Sequence, residues 1–286
     1  MARQEAQNIF LEDGVTATQL AEIYGGVIEN FEKSAVSLQL KAQNAENVSA
    51  GSAEFKRFEN AVSVAYGTAR TAGAGVGLQT KPITVPIDVH MEIVEEFRKS
   101  DVVSYGIPSL LERRADNHFR SMVRALDTAF FRKAYTTGVQ FVPAGATIDL
   151  KVEELIVKVE TISNSFIDGV DRDDIAIVLS PAQASALRNQ IDTLLIEGNR
   201  IENGLLGKFH GVDIYTSNRL PKGVGQVVDM FGMVKGAIAQ PVLLADNYQA
   251  EKIPLSNDWA VELFYDYGTT TLLTDALFYV GDLYVA

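Results

Sequence analysis

Apolar positions change their period several times along this chain, and each change marks an element. The sharpest helical pattern runs from about Pro108 to Tyr135, where Leu111, Ala115, Phe119, Met122, Val123, Leu126 and Phe130 fall on one stripe. Pro108 suits the first helical turn, where its missing N–H is not needed. At 1.5 Å per residue this helix would run about 40 Å, the length of a structural beam. From about residue 149 the pattern becomes α/β. Val152, Leu155, Ile156, Val159 and Ile162 predict a helix that Asp149 can cap. The run IAIVL (175–179) predicts a buried strand, and Ser180-Pro181 reads as the N-cap and first turn of the next helix. Gly211 to Thr216 predicts another strand, followed by the turn-like SNRLPKG. Val261, Leu263, Tyr265 and Tyr267 alternate with Glu262 and Asp266, which is a half-buried strand by its period of two. The aromatic tail TLLTDALFYVGDLYVA predicts a last strand that returns to pack on the long helix.

The first third of the chain reads differently. Leu20, Ile23, Val27 and Phe31 recur at helical spacing, and Thr16 with Gln19 fits a capping box, but Gly25 and Gly26 interrupt the pattern. Residues 1 to about 50 therefore read as an acidic arm with one short amphipathic helix. Further on, Ala61 to Ala65 and Ile83 to Asp88 have strand character, and between them lies TARTAGAGVGLQTK, with few large apolar anchors. The prediction is a long hairpin that cannot bury itself against its own domain and is stabilised from outside, most simply by a neighbouring subunit. Arg57, Arg70, Gly73, Gly75, Gly77 and Lys81 are its candidate intersubunit residues. No repeat of solenoid length is present.

Composition narrows the classes. Apolar residues make up 47% and charged residues 22%, ordinary for a globular protein. The chain has no cysteine, which excludes disulfides and thiolate metal sites. It has no unbroken apolar run of about 20 residues, so no membrane span is expected, and MARQEAQNIFLEDG lacks the apolar core of a secretory signal. A net charge of −12 argues against a dedicated nucleic-acid binder, which needs Lys and Arg to neutralise phosphates. It does not argue against a container that merely tolerates DNA. The long helix runs against the tide: Arg113, Arg114, Arg120, Arg124, Arg132 and Lys133 outnumber Glu112, Asp116 and Asp127. Arg113, Arg120 and Arg124 are candidate DNA-facing residues; the competing reading is a solvated helix face paired with carboxylates.

No reacting constellation emerges. GAGVG (73–77) lacks the following helix that a phosphate-binding fingerprint requires. His90, His118 and His210 stand in unrelated segments without metal-ligand spacing, and each reads as a surface or interface residue. Ser180 lacks the flanking glycines of a hydrolase elbow. Glu95-Glu96, Glu153-Glu154 and Asp173-Asp174 are sequence neighbours that do not face one another on a helix, and they read as solvated faces. No catalytic, cofactor-binding or metal-ligating residue is expected, no cofactor is implied, and the chain does not read as an enzyme.

The order of parts, an acidic arm, a long hairpin, one long helix, an α/β segment and returning strands, resembles the major capsid proteins of tailed bacteriophages. SYGIPSLLERRADNHFRSMVRALDTAFFRKAYTTG (104–138) is similar to the segment that forms that family's spine helix. IAIVLSPAQASALRN (175–189) resembles the strand and helix of its axial domain, and LLGKFHGVDIYTSNRLP (205–221) the strand and loop that follow. AVELFYDYGTTTLLTDALFYVGDLYV (260–285) resembles the last strands of its peripheral domain. The resemblance covers about 55–286 and rests on order and spacing rather than on any one motif.

The resemblance implies an α+β capsid fold. Its parts would be an N-terminal arm (1–53), an extended hairpin with return strands (54–100), a peripheral domain with the spine helix (101–150), an axial domain (151–250) and C-terminal peripheral strands (251–286). It implies self-assembly through hexamers and pentamers into an icosahedral shell around double-stranded DNA, in a virion assembled in the host cytoplasm. The glycine-rich tip would let the hairpin fit both curved and flat positions of such a shell. Portal and head-completion proteins would be partners, and no membrane is involved. Some relatives carry a cleaved scaffolding segment of the order of a hundred residues ahead of the hairpin. The chain has no room for one, which favours a separate scaffolding protein, or none. Lys56 and Lys81 lie on or beside the hairpin, but no asparagine and glutamate match the isopeptide crosslink of some relatives. Two other readings compete: an encapsulin-like nanocompartment with the same fold and a protein cargo, and an α/β enzyme with a long hairpin.

Overall fold

The computed structural model describes residues 35–43, 47–49, 51–58, 80–105, 107–164, 166–193, 205–223, 226–244, 249–256 and 258–282. The described chain opens with a short helix, α1 (Val36–Leu40), and three strands, β1 (Asn47–Ser49), β2 (Ser52–Phe58) and β3 (Thr80–Pro86). These strands form one antiparallel sheet in the order β1-β2-β3. β2 and β3 pair antiparallel from Ser52 opposite Pro86 to Phe58 opposite Thr80, so the strand expected at 83–88 has its partner at 52–58. The root of this pair is anchored by Ala53, Phe55 and Val85 packed on Ala239. The strand expected at 61–65 and the capping box and helix expected at 16–31 lie outside the described residues.

Next come β4 (Val89–Phe97), α2 (Lys99–Tyr105) and the long helix α3 (Ile107–Thr137), which spans about 46 Å. The remaining elements are β5 (Val139–Gln140), α4 (Ile148–Glu160), β6 (Ile175–Leu179), α5 (Pro181–Thr193), β7 (Leu205–Phe209), β8 (Val212–Thr216), β9 (Lys222–Gly223), β10 (Gln226–Val234), β11 (Ile238–Ala239), β12 (Val242–Leu244), β13 (Gln249–Lys252), β14 (Trp259–Tyr267), β15 (Thr270–Thr271) and β16 (Leu277–Asp282).

Two sheets organise the body. The larger has seven strands in the order β5-β16-β10-β6-β8-β7, with β9 added beside β10. All five residues of β6 are buried, because the sheet is covered on both faces. Ile175, Ile177 and Leu179 pack on Val152, Leu155, Ile156 and Val159 of α4 and on Ala184 and Leu187 of α5. Ala176 and Val178 face the other way, onto Phe130, Phe131 and Ala134 of α3 and Val36 and Leu40 of α1. The helix α4 lies so close that a Cβ on Gly232 of β10 would sit 2.7 Å from Leu155 Cγ.

The local signals at 180 and 210 behave as their chemistry dictates. Ser180 Oγ accepts the Gln183 N–H at 3.4 Å, opening α5 as an N-cap. Phe209 pairs with Val212 across the two-residue turn His210-Gly211. Both turn residues have positive φ, 49° and 91°, as a type I′ hairpin requires. The cap of α4 differs from expectation. Thr147 occupies the N-cap position and Asp149 sits inside the first turn, where a carboxylate suits the positive end of the helix.

The smaller sheet has four strands, with β14 central between β4 on one side and β12 and β13 on the other. Trp259, Val261, Leu263, Tyr265 and Tyr267 are buried together with Leu111, Met122 and Leu126 of α3 and Phe97 of β4. The intervening Ala260, Glu262, Phe264 and Asp266 occupy the opposite face and are half-buried. The last strand, β16, lies in the seven-stranded sheet and also reaches the long helix: the Tyr279 ring lies 4.9 Å from that of Tyr135. The segment 251–286 thus contributes to both sheets.

Candidate nucleic-acid interface

The stripe of α3 opposite the buried Leu111, Met122 and Leu126 is basic. Arg113, Arg120 and Arg124 are all exposed, and their spacings of seven and four residues place them on one face. Farther along the same side, Arg124, Thr128, Arg132, Tyr135 and Thr136 form one wall of a groove of about 550 Å³; Asn218, Arg219, Leu220, Pro221 and Lys222 form the other. Among the described residues, four cations therefore line this groove, and no carboxylate does. The 217–222 loop is held in place by Ser217 Oγ, which accepts the Arg219 N–H at 3.2 Å, and by Pro221 O, which accepts the Val228 N–H at 3.2 Å.

A second notch beside this groove contains Asp127, which is 4% exposed. Asp127 Oδ1 accepts the Ser37 N–H at 2.9 Å and so ties α1 to the long helix. Burial pushes its carboxyl above the usual aspartate range, while the Ser37 hydrogen bonds and the Arg219 charge oppose that shift. Asp127 thus serves the packing of α1 on the long helix.

The other acids and histidines are more engaged than their sequence positions implied. Arg114 forks onto Glu95 of β4, with Nε donating to Oε2 at 2.9 Å and Nη2 to Oε1. His118 Nε2 stands 3.1 Å from Glu95 Oε2, and His118 is only 1% exposed, so it is a core residue and not the expected surface one. The Arg114 hydrogen bonds hold the Glu95 carboxyl below the usual range against the opposing effect of burial. Glu153 binds Arg172 at 3.2 Å and His210 at 2.7 Å. Glu154 Oε2 accepts the Ala144 N–H at 2.7 Å. Glu95, Glu153 and Glu154 are therefore structural partners, not freely solvated carboxylates. Exposed His90 and His210 do lie at the surface, each beside a carboxylate.

On the hairpin, Arg57 and Lys81 are cross-strand partners. Lys81 is exposed, whereas the Arg57 guanidinium lies 4.1 Å over the Phe166 ring of its own chain. Burial lowers the Arg57 pKa, and the charge of Asp275 opposes that. Arg70, Gly73, Gly75 and Gly77 lie outside the described residues. Among the described residues no group of three or more His, Asp and Glu side chains is placed to hold a metal. No described helix is long and apolar enough to cross a membrane.

No protein-family model matches the sequence, and no curated protein matches it significantly. Solved structures do. A capsid protein of the cyanophage P-SCSP1u superposes with a TM-score of 0.62 at 14% identity, over 86% of this chain and 87% of its own. The mature capsid of bacteriophage PhiM1 gives 0.55 at 16% identity, covering 86% of both chains. The chain has the tailed-phage capsid fold. A virus-like particle from Pyrococcus furiosus shares this fold, with a TM-score of 0.57 at 9% identity over 91% of this chain and 98% of its own. The long helix expected at 108–135 is observed as Ile107–Thr137.

The residues of the groove's second wall escaped sequence reasoning. The one available signal was SNRLPKG, which carries Arg219 and Lys222 and no acid. Nothing in the linear sequence says that this turn comes to rest alongside Arg124 and Arg132.

Proposed function

We propose that this chain is the major structural subunit of an icosahedral shell that encloses double-stranded DNA. The capsid fold over more than four-fifths of the chain carries this reading. The molecule's own surfaces support it. One sheet layer has a basic helical side and, on the face turned away from the helix, the acids Glu92, Glu96, Glu262 and Asp266. A two-sided layer of that kind suits a wall. The long helix with the four-stranded sheet would be the peripheral domain, and the seven-stranded sheet with α4 and α5 the axial domain.

Assembly would proceed by surface complementarity, through hexamers and pentamers, with the β2–β3 hairpin reaching a neighbour. Stable interfaces bury about 1,600 Å² in total, which an extended hairpin and an arm can supply across several neighbours. A separate scaffolding protein, a portal and head-completion proteins would complete the particle, and assembly would take place in the host cytoplasm. Arg113, Arg120 and Arg124 would face the packaged DNA. The basic stripe favours a nucleic-acid content over a protein cargo, and the capsid fold favours a structural subunit over an enzyme.

Analytical ultracentrifugation of the purified full-length chain tests this reading. Species of pentamer or hexamer mass or larger are expected, and deletion of residues 70–80 should abolish them or make them dissociate. A hairpin deletion that leaves assembly unchanged would remove the hairpin from the mechanism. A monomer or dimer, even beside candidate scaffolding proteins, would reject the shell itself.

A further inference from the structure

We infer that the groove between α3 and the 217–222 loop is a seat for the phosphates of a nucleic-acid backbone, gripped by Arg124, Arg132, Arg219 and Lys222. The inference rests on the shell reading and deepens it. It moves the main DNA contact from a simple exposed stripe to a built notch, three of whose four cations lie outside that stripe's Arg113, Arg120 and Arg124.

The first argument is charge. Four cations from two separate elements converge on a space of about 550 Å³ with no carboxylate among the described residues that line it, in a chain whose net charge is −12. The acid that acts on them is Asp127, buried in the adjoining notch, and its charge couples to Arg219 alone among the four. Several other described cations have carboxylate partners close by: Arg114 has Glu95, Arg172 has Glu153 and Glu160, Lys208 has Asp173, and Lys235 has Asp213. The described lining of the groove holds no such acid. Crowding like charges without a counter-charge costs free energy, which an anion in the groove would recover.

The second argument is the kind of anion. Arg124 and Arg132 are eight residues apart on a helix, about 12 Å along its axis. Phosphates along one DNA strand recur about every 3.4 Å of duplex axis, so that distance corresponds to about three of them. The remaining polar lining, Thr128 and Asn218 in particular, offers hydroxyl and amide donors of the kind that contact phosphate oxygens and fix register without reading sequence. A peptide would need an apolar anchor pocket. Leu220 is 3% exposed and committed to the core, so it offers none, and the half-buried Tyr135 and Pro221 are the remaining non-polar lining.

The test is fluorescence anisotropy of a short labelled duplex DNA with the unassembled full-length chain, repeated across a range of salt. Arg132→Gln, Arg219→Gln and Lys222→Gln combined should weaken binding and make the log–log salt dependence shallower by roughly 2 to 3, about 0.9 for each phosphate no longer neutralised. Arg219→Gln alone should remove about 1, which keeps the test valid if the triple variant folds poorly. Arg114→Gln, whose partner is Glu95, should leave the slope unchanged. Inorganic phosphate should displace the duplex no better than chloride at equal ionic strength; stronger displacement would assign the groove to a free anion and overturn the proposal. An unchanged slope in the triple variant would overturn it too, and lost assembly alongside would point to an acidic protein segment instead. Because the readout is DNA binding by unassembled chain, failure of the shell reading in the centrifuge would be seen separately.

Discussion

The two sheets of this molecule are built from similar apolar residues, yet one is covered on both faces and the other on one. In the seven-stranded sheet, β6 reads IAIVL, and every residue is buried between α4 and α5 on one side and α1 and α3 on the other. In the four-stranded sheet, β14 reads WAVELFYDY, and only alternate residues face α3. The difference teaches what each sheet is for. A sheet covered twice is a core and tolerates little change. A sheet packed on a helix by one face leaves Glu92, Glu96, Glu262 and Asp266 on the other, and α3, which closes the first face, turns a basic stripe the other way. The long helix thus joins a rigid core at its C-terminal half to an exposed, two-sided layer along the rest of its length.

That contrast can be broken most severely at the junction. Phe131 lies in the core of the doubly covered sheet, stacked on Phe231 with ring centroids 5.8 Å apart. Phe131→Ala should cost about 3–5 kcal/mol in denaturant unfolding of the unassembled chain, through the cavity it leaves. Val178→Thr, in β6, places a hydroxyl between two covered faces and should cost about 1–3 kcal/mol. Glu95→Gln sharpens the contrast from the other side, because Glu95 joins the singly covered sheet to α3 through Arg114 and His118. The Glu95 pKa is depressed in the folded state, so its contribution is complete above the ordinary glutamate value of about 4.3 and is lost as pH falls through the depressed value. The variant should be less stable than the parent by on the order of 1 kcal/mol near neutrality, discounted for the exposure of Arg114. That gap should close as the pH falls below about 4. Val94→Thr makes the smallest change: on the uncovered face of β4, at 46% exposure, it should stay within about 0.5 kcal/mol. Equal costs for the two Val→Thr variants would erase the distinction between the sheets.

Much of this fold was legible in the sequence because its burial is periodic. The stripe Leu111–Phe130 located α3 to within two residues, IAIVL announced a doubly covered strand, and the alternation at 261–267 announced a singly covered one. Ser180-Pro181 was readable as a cap because the side-chain chemistry and the backbone requirement are both local. What stayed hidden depends on partners far apart in the chain. His118 looked like one of three scattered histidines, and only the approach of β4 to α3 buries it beside Glu95, 23 residues earlier. Asp127 looked like part of a charge balance until Ser37, 90 residues away, was found bonded to it. The candidate DNA-facing arginines were visible as a basic helix, but the groove needs the 217–222 loop as its second wall, and nothing in the spacing of SNRLPKG brings it there.

Electron microscopy of the purified full-length chain, alone and with candidate scaffolding proteins, tests the central claim most directly. The account predicts closed, uniform icosahedral shells, or at least five- and six-membered rings with the mass of capsomers. A field of discrete monomers or dimers, with no ring or shell under any of these conditions, would contradict it.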